Sequence, residues 1–153
     1  MQNFPYLEQK NGGWVWNFPK SLNMATQVCD FWEIKSPEKI CIKDFTDVDL
    51  PVLYSYKDLR KFSDSLAFEL RNRGVGKGDR VGVLLSQEIG CAASHIAIWK
   101  LGAISIPLFK LFGPEALATR LNDANAKYTI TDDEGSENLL PPEFDRLIFN
   151  DIV

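Results

Sequence analysis

In residues 72–87, NRGVGKGDRVGVLLSQ, a lysine and the three glycines Gly74, Gly76 and Gly78 stand just before an apolar run. A glycine-rich loop binds phosphate when it follows a strand and opens a helix, because the free N–H groups of the helix N-terminus then face the anion. Here a helical apolar stripe over residues 56–73 precedes the glycines, and the apolar run 80–85 follows them. No Ser or Thr directly follows Lys77, as a P-loop would require. The stretch therefore predicts a helix-to-strand connection rather than a nucleotide-binding loop.

The other residue types that could do chemistry form no recognisable group. His95 is the only histidine, and it falls in an apolar helical pattern that is typical of a packed or partly buried side chain. Ser86, Ser94 and Ser105 lack the flanking glycines of a nucleophile elbow. No two carboxylates converge by helical or strand spacing. From the residues alone, we predict no catalytic residue and no metal ligand in this chain.

Composition limits the classes of protein that remain. The 153 residues are 45% hydrophobic and 25% charged, which is ordinary for one globular domain. A net charge of −4 argues against a nucleic-acid partner, which would require clustered cations. No apolar run is long enough to span a membrane and no signal peptide is present, so a cytoplasmic location is expected. Cys29, Cys41 and Cys91 form no CxxC pair, which favours three small buried side chains in a reducing compartment.

The amino-terminal third combines several short patterns. Residues 1–20 hold five aromatic side chains but no apolar period, and they predict an irregular aromatic arm lying across the rest of the protein. A helix is expected from Met24, with Asn23 as its N-cap and Pro37 just beyond its end. Apolar and polar residues alternate over residues 39–45, which predicts a short strand. Residues 52–56 predict a second short strand, so the two are expected to form a hairpin.

The rest of the chain alternates strands with helices. Ser55 is expected to cap the helix over residues 56–73, and Pro114 to open a later one. The predicted strands that the helices separate are residues 80–85, 103–108, 127–131 and 146–149. This order implies an α/β fold with a mainly parallel sheet and helices on both faces. We expect residues 21–153 to form one α/β subdomain, and an incomplete piece of a larger N-terminal domain.

Five motifs in order carry a resemblance to the AMP-forming adenylating enzymes. They are YSYKDL (54–59), RGVGKGDRVGVLLSQ (73–87), WKLGAISIPLF (99–109), LFGPEALATRL (111–121) and AKYTITDDEG (126–135). The FGPEA run (112–116) is most similar to the acyl-CoA synthetase branch that includes acetyl-CoA synthetases. Each motif is weak alone, but their order and spacing over residues 22–135 make the resemblance specific. It implies the N-terminal subdomain of the adenylate-forming fold.

The resemblance also implies a reaction. Members of this family join a carboxylate to ATP with magnesium, forming an acyl-adenylate and pyrophosphate, and CoA thiolate then displaces AMP to give a thioester. Their ATP loop, magnesium-binding glutamate, ribose-binding aspartate and lysine-bearing domain all come later in sequence than these 153 residues. The chain is therefore expected to bind no cofactor alone and to be inactive alone. Its expected partner is the remainder of a synthetase for short or medium aliphatic acids such as acetate, on the same or a separate chain.

One loop of this chain matches a CoA-binding position of the resembled branch. The loop before Pro-Glu-Ala lines the CoA site there, and the matching residues here are Phe109, Lys110 and Leu111. Lys110 would meet a phosphate, although an exposed loop lysine is the simpler interpretation. In the same branch a pair of arginines after Asp-Glu-Gly contacts CoA phosphates. Residues 136–139 here read Ser-Glu-Asn-Leu, and Glu137 would repel a phosphate.

A second hypothesis comes from a different class of protein. The chain would then be a stand-alone flavodoxin-like binding or interaction module, with the aromatic arm as its docking surface. The two hypotheses differ in physical behaviour. Part of a larger domain exposes apolar surface and self-associates, whereas a complete module is monomeric and unfolds cooperatively.

Overall fold

A computed structural model describes residues 4–46, 49–126, 128–139 and 145–152 of the chain. The strands, in chain order, are β1 (Tyr6–Lys10), β2 (Gly13–Asn17), β3 (Ile40–Asp44), β4 (Val52–Ser55), β5 (Arg80–Leu84), β6 (Ile104–Pro107), β7 (Tyr128–Thr131) and β8 (Asp145–Ile148). The α-helices are α1 (Phe31–Lys35), α2 (Tyr56–Asn72), α3 (Ile89–Lys100), α4 (Pro114–Asp123) and α5 (Asp133–Glu137). A π-helical turn (Thr26–Asp30) precedes α1, and a 3₁₀ turn (Phe149–Asp151) follows β8.

Strands β5 to β8 form one parallel sheet in the order β6-β5-β7-β8. Val81 of β5 lies opposite Ser105 of β6 on one side and Tyr128 of β7 on the other. The chain passes from β5 to β6 on one flank and then returns to β7 on the opposite flank. The predicted α/β fold with a parallel sheet is confirmed, with strand ends within about a residue of the predicted ones; Lys127 lies outside the described residues.

Helices cover both faces of this sheet, as predicted. On one face α2 and α3 pack against Val81, Val83 and Ile130, which are at most 2% exposed. On the other face Leu84 packs with residues of α4 and its flanking loops. That second cluster consists of Leu84, Leu108, Leu117, Leu121, Ala126 and Leu139. Since side chains alternate along a strand, the successive residues of β5 serve the two cores in turn.

Helix α2 begins at the predicted cap, Ser55. Its Oγ accepts a hydrogen bond from the Asp58 amide at 3.2 Å, and the Asp58 carboxylate accepts one from the Ser55 amide at 2.8 Å. This reciprocal capping box satisfies two amide groups that a helix start leaves free. The helix ends before Gly74, whose φ of 83° allows the chain to turn toward β5.

The short elements before α2 were also predicted in part. Strands β3 and β4 pair as an antiparallel hairpin, as expected. Asn23 caps the helical segment: its Oδ1 accepts a hydrogen bond from the Ala25 amide at 2.9 Å, and its Nδ2 donates to the Trp99 carbonyl at 2.8 Å. The second bond ties this segment to the end of α3.

The prediction that residues 1–20 are irregular was wrong for the residues that the structure describes. Strands β1 and β2 form an antiparallel hairpin in which Leu7 lies opposite Trp16. The turn is the pair Asn11–Gly12, with φ values of 51° and 79°. Two-residue hairpin turns require positive φ at both positions, and Asn-Gly is a favoured pair for them. The sequence contained this signal, but the run of aromatic residues concealed the strand alternation. We call residues 4–18 the aromatic arm.

Candidate functional site

The glycine-rich connection lies at the amino edge of the parallel sheet. The Gly76 amide donates to Asp79 Oδ2 at 2.8 Å, and the Gly78 amide donates to the Gly102 carbonyl at 3.0 Å. The glycines therefore shape the entry into β5 and do not open a helix. The prediction of a helix-to-strand connection is confirmed.

The opposite, carboxyl edge of the sheet is where the loops after β5, β6 and β7 come together. In open α/β sheets, ligands bind in the crevice outside the carboxyl ends of the strands, at the point where successive connections leave in opposite directions. That point here is β5, because β6 and β7 flank it. A pocket of about 110 Å³ lies at this edge, lined by Leu85, Ser86, Glu88, Gly90, Cys91, Asp132, Phe149 and Asn150.

Lys110 crosses this edge from the loop after β6 to the loop after β7. Its Nζ lies 2.9 Å from Asp132 Oδ2 and 2.5 Å from Glu134 Oε2. Only 18% of its side chain is exposed. The loops that it joins lie on either side of β5, so the ion pairs span the carboxyl end of that strand. The lysine is therefore not the free loop residue of the simpler interpretation. We call Lys110, Asp132 and Glu134 the Lys110 cluster.

The Lys110 cluster stabilises its own charges. The hydrogen bonds to Glu134 and Asp132 raise the pKa of Lys110 above its usual value. Burial of Asp132 opposes its ionisation, but hydrogen bonds from Lys110 and from the Gly135 amide outweigh burial and lower the pKa of its carboxyl group. Lys110 and Asp132 are therefore charged at neutral pH, and the Lys110 ammonium group lies between the carboxylates of Asp132 and Glu134.

Asp132 is held in place from two directions. Besides the ion pair, its Oδ1 accepts a hydrogen bond from the Gly135 amide at 2.7 Å and caps α5. Gly135 itself approaches the end of β5, because a Cβ added there would lie 2.3 Å from Thr131 Oγ1 and 3.2 Å from the Leu84 carbonyl oxygen. The glycine of the DDEG motif therefore allows α5 to pack against the strand ends.

Phe109 and Leu111 flank Lys110 and point outward. Phe109 is 60% exposed and Leu111 is 99% exposed. The loop is braced by Phe112, whose ring meets Phe109 edge-on with ring centres 5.5 Å apart and lies 4.0 Å below the Arg120 guanidinium. The three residues predicted to contact CoA are thus consecutive in one turn, in which the two apolar side chains are largely exposed and the lysine is held in ion pairs.

An arginine does reach the segment 136–139, although none occurs within it. Arg146 of β8 donates from Nη1 to Ser136 Oγ at 3.3 Å and from Nη2 to the Leu139 carbonyl. Sequence reasoning missed it because the contact comes from the next strand along the chain. The guanidinium is directed at the backbone and hydroxyl of this loop, and it leaves Glu137 unneutralised by an ion pair within the described residues.

His95 lies away from this edge, in an open cleft of about 600 Å³ between α3 and the β3–β4 hairpin. Its ring stacks on Trp99 with ring centres 5.9 Å apart, and burial lowers its pKa. Nδ1 is buried and has no hydrogen-bond partner within the described part of the chain. This arrangement confirms a partly buried packing histidine.

The cysteines and acidic groups add no reactive centre to the described residues. Burial raises the pKa of all three thiols, that of Cys29 to about 11, so they are protonated at neutral pH. Cys29 is fully buried, whereas Cys41 and Cys91 are half-buried. No group of three or more His, Cys, Asp or Glu side chains in residues 4–46, 49–126, 128–139 and 145–152 could hold a metal ion. No helix in those ranges is long and apolar enough to cross a membrane.

A known protein family matches most of the chain. The sequence profile of the family described as AMP-binding enzyme matches residues 32–148. The chain belongs to the AMP-binding enzyme family. The match includes both loops of the Lys110 cluster and every strand of the parallel sheet.

Two curated relatives are acetyl-coenzyme A synthetases. The chain is 36% identical over 130 residues to the acetyl-coenzyme A synthetase of Coprinopsis cinerea, covering 82% of this chain and 19% of that protein. It is 35% identical over 116 residues to the acetyl-coenzyme A synthetase of Halorhodospira halophila, covering 75% of this chain and 18% of that protein. The chain thus spans about a fifth of the length of these relatives, and its resemblance to an N-terminal portion of acyl-CoA synthetases is confirmed.

Two solved structures share the fold. The acyl-CoA synthetase of Brucella canis matches with a TM-score of 0.76 and 25% identity, over 84% of this chain and 23% of that one. The N-terminal subdomain of Klebsiella oxytoca NpsA, solved in complex with 3-hydroxybenzoyl-AMSN, matches with a TM-score of 0.73 and 19% identity, over 85% and 31%. The second likeness concerns the fold alone. Together they confirm the predicted N-terminal subdomain architecture.

Proposed function

We propose that this chain is the N-terminal part of an AMP-forming acyl-CoA synthetase. The complete enzyme would activate a carboxylate with ATP and magnesium and transfer the acyl group to CoA. The observation that carries the proposal is the family match over residues 32–148, combined with relatives named acetyl-coenzyme A synthetase. Those names favour acetate or another short aliphatic acid as the substrate.

The chain alone is proposed not to form acyl-adenylates. Phosphoryl chemistry requires a phosphate cradle and bound magnesium. The glycine-rich stretch is a connection at the wrong edge of the sheet, and the carboxyl edge carries the Lys110 cluster instead of a cradle. The ATP-binding motifs of the family follow this region in sequence, so the catalytic partner is the remainder of a synthetase, on the same or a separate chain.

CoA is proposed to contact the turn formed by Phe109, Lys110 and Leu111. The exposed side chains of Phe109 and Leu111 offer apolar surface, and Lys110 is a cation at the sheet edge where such folds bind ligands. The fit to a phosphate is incomplete as the residues stand, because Lys110 is already paired with two carboxylates.

Exchange of pyrophosphate into ATP tests the activity part of the proposal. With acetate and magnesium, this chain alone is expected to give no exchange above a blank, whereas a full-length relative assayed in parallel gives a clear signal. Exchange by this chain alone would contradict the proposal. Calorimetric titration with ATP and magnesium tests the alternative hypothesis that the chain is a stand-alone binding module. Tight binding of ATP by this chain would favour a stand-alone nucleotide module.

A further inference from the structure

We infer that the Lys110 cluster gates the proposed CoA contact: a phosphate reaches Lys110 only by displacing Glu134. The inference rests on the proposed function. The blocking of Lys110 by Glu134, however, concerns the residues of this chain alone. Lys110 is the only member of the cluster that attracts an anion. Its Nζ is within 2.9 Å of two carboxylate oxygens that repel one.

The two carboxylates of the cluster are not equivalent. Asp132 is 26% exposed and is fixed by its second role as the cap of α5, where it accepts a hydrogen bond from the Gly135 amide. Glu134 is 78% exposed, and its carboxylate contacts Lys110 from the solvent side. An exposed ion pair is weak, because water and salt screen it. Glu134 is therefore the carboxylate that an incoming anion can replace, while Asp132 holds the lysine in position.

The surrounding charge makes that replacement necessary. Helix α5 and its cap carry four carboxylates, on Asp132, Asp133, Glu134 and Glu137, and Lys110 is the cation that pairs with two of them. While Glu134 lies against Lys110, an approaching phosphate meets the Glu134 carboxylate before it reaches the ammonium group. When Glu134 swings away, Lys110 stays above the end of β5 with one free side. The cluster would thus lower CoA affinity and make it sensitive to salt.

Lysine labelling tests the cluster without any ligand. The chain is treated with limiting acetic anhydride, and the acetylation of individual lysines is followed by peptide mass spectrometry. Lys110 is expected to react more slowly than Lys61, an exposed lysine of α2. Glu134→Gln is expected to speed the labelling of Lys110, whereas Glu137→Gln, on the same helix, leaves it unchanged. Equal labelling of Lys110 and Lys61 in the unmodified chain would overturn the inference.

Calorimetric titration with CoA then tests the gate. Glu134→Gln is expected to tighten CoA binding about threefold at low salt, the scale of one exposed ion pair, and the gain should shrink in high salt. Pantetheine, which lacks the phosphates, should show no such gain. If Lys110→Ala weakens CoA binding while Glu134→Gln leaves it unchanged, the CoA contact stands and the gate is overturned. If CoA binds to none of these variants, the proposed contact fails and the gate fails with it.

Discussion

The parallel sheet and the aromatic arm use similar apolar side chains in opposite ways. Val81, Val83 and Ile130 in the sheet are at most 2% exposed, and helices α2 and α3 cover them. Trp14 and Trp16 in the arm are 70% and 56% exposed. The sheet is assembled from distant parts of the chain, whereas the arm is a local hairpin closed by a two-residue turn. Apolar content alone therefore does not show whether a segment belongs to a core.

The arm touches the rest of the protein through few of its side chains. Phe4 meets the ring of Phe31 edge-on, with ring centres 4.7 Å apart. Farther along, Trp16 stacks on Phe18 within the arm itself, with ring centres 6.0 Å apart. An isolated two-stranded hairpin is only marginally stable in water. The sheet thus has its stabilising contacts within the chain, and the arm presents an apolar surface outward.

Shortening a core side chain should show the largest effect. Leu66 on α2 is fully buried in the core cluster that also contains residues of α3 and of the parallel sheet. Leu66→Ala is expected to lower the free energy of unfolding by about 3 kcal/mol, because it removes buried methyl groups and leaves a cavity. Urea denaturation followed by circular dichroism measures this. Phe68→Ala on the same helix, at a 65% exposed position, is the control and should change stability little. Equal losses would mean that α2 packs differently.

A methyl group added on the α4 face should cost less. A Cβ on Gly82 would lie 2.8 Å from Thr129 Oγ1 and 2.9 Å from Leu121 Cδ2. Gly82→Ala is expected to lower the unfolding free energy by about 2 kcal/mol, since both neighbours must shift. Gly76→Ala is the matched control, because a Cβ there meets nothing within 4 Å. A neutral Gly82→Ala in the same denaturation experiment would show that this face is loosely packed.

Removal of the α2 cap is expected to have an intermediate effect. Ser55→Ala removes the hydroxyl that accepts from the Asp58 amide, and it should cost about 1 kcal/mol of unfolding free energy. Ser55→Asn, which can still cap the helix, should recover most of this loss. Thermal denaturation of the two variants measures the difference, and an equally destabilised Asn variant would point to packing around Ser55 instead.

His95 should make the stability of the sheet region depend on pH. Burial lowers its pKa in the folded state, so below about pH 6.5 the unfolded state binds more protons than the folded one. The unfolding free energy should therefore fall as the pH drops from 7.5 to 5.5. His95→Phe, which keeps a ring beside Trp99, should flatten the profile in that window. If the urea midpoint of His95→Phe depends on pH as steeply as that of the unmodified chain, this prediction is contradicted. No other histidine can account for the effect, because His95 is the only one in the sequence.

The arm should give the smallest change in stability. Trp14→Ala combined with Trp16→Ala is expected to alter the unfolding free energy by less than about 0.5 kcal/mol, because both rings are mostly exposed. The same double variant should reduce self-association in sedimentation velocity experiments, since it removes exposed apolar surface. A loss of several kcal/mol would mean that the arm packs on the rest of the protein and contributes to its core.

The sequence predicted the elements that local rules determine. The cap at Ser55, the helix start at Pro114 and the apolar run of β5 each follow from short-range stereochemistry, and the structure has all three. The arm was mispredicted because its aromatic side chains point to solvent, so the usual alternation of buried and exposed positions is absent. Its Asn11–Gly12 turn was the usable signal.

The candidate site was predictable in position but not in its contacts. The resemblance pointed to Phe109, Lys110 and Leu111, and this loop lies at the carboxyl edge of the sheet; that it contacts CoA stays a prediction. The partners of Lys110 come from the loop after β7, on the far side of β5, and the reach of Arg146 comes from β8. Spacing along the chain carries no information about such contacts, because they depend on strand order. The sheet order β6-β5-β7-β8 had to be known first.

The position of β5 between β6 and β7 also has a consequence during synthesis. A chain made from its N-terminus completes β5 before either neighbouring strand exists. The apolar residues of β5 therefore lack a strand partner until β6 has been synthesised, and they lack the second partner, β7, until α4 has also been made. Helix α2 precedes β5 and is the first surface available to cover one of its faces. Slower translation across α3 and α4 would lengthen this exposure and favour aggregation of the nascent chain.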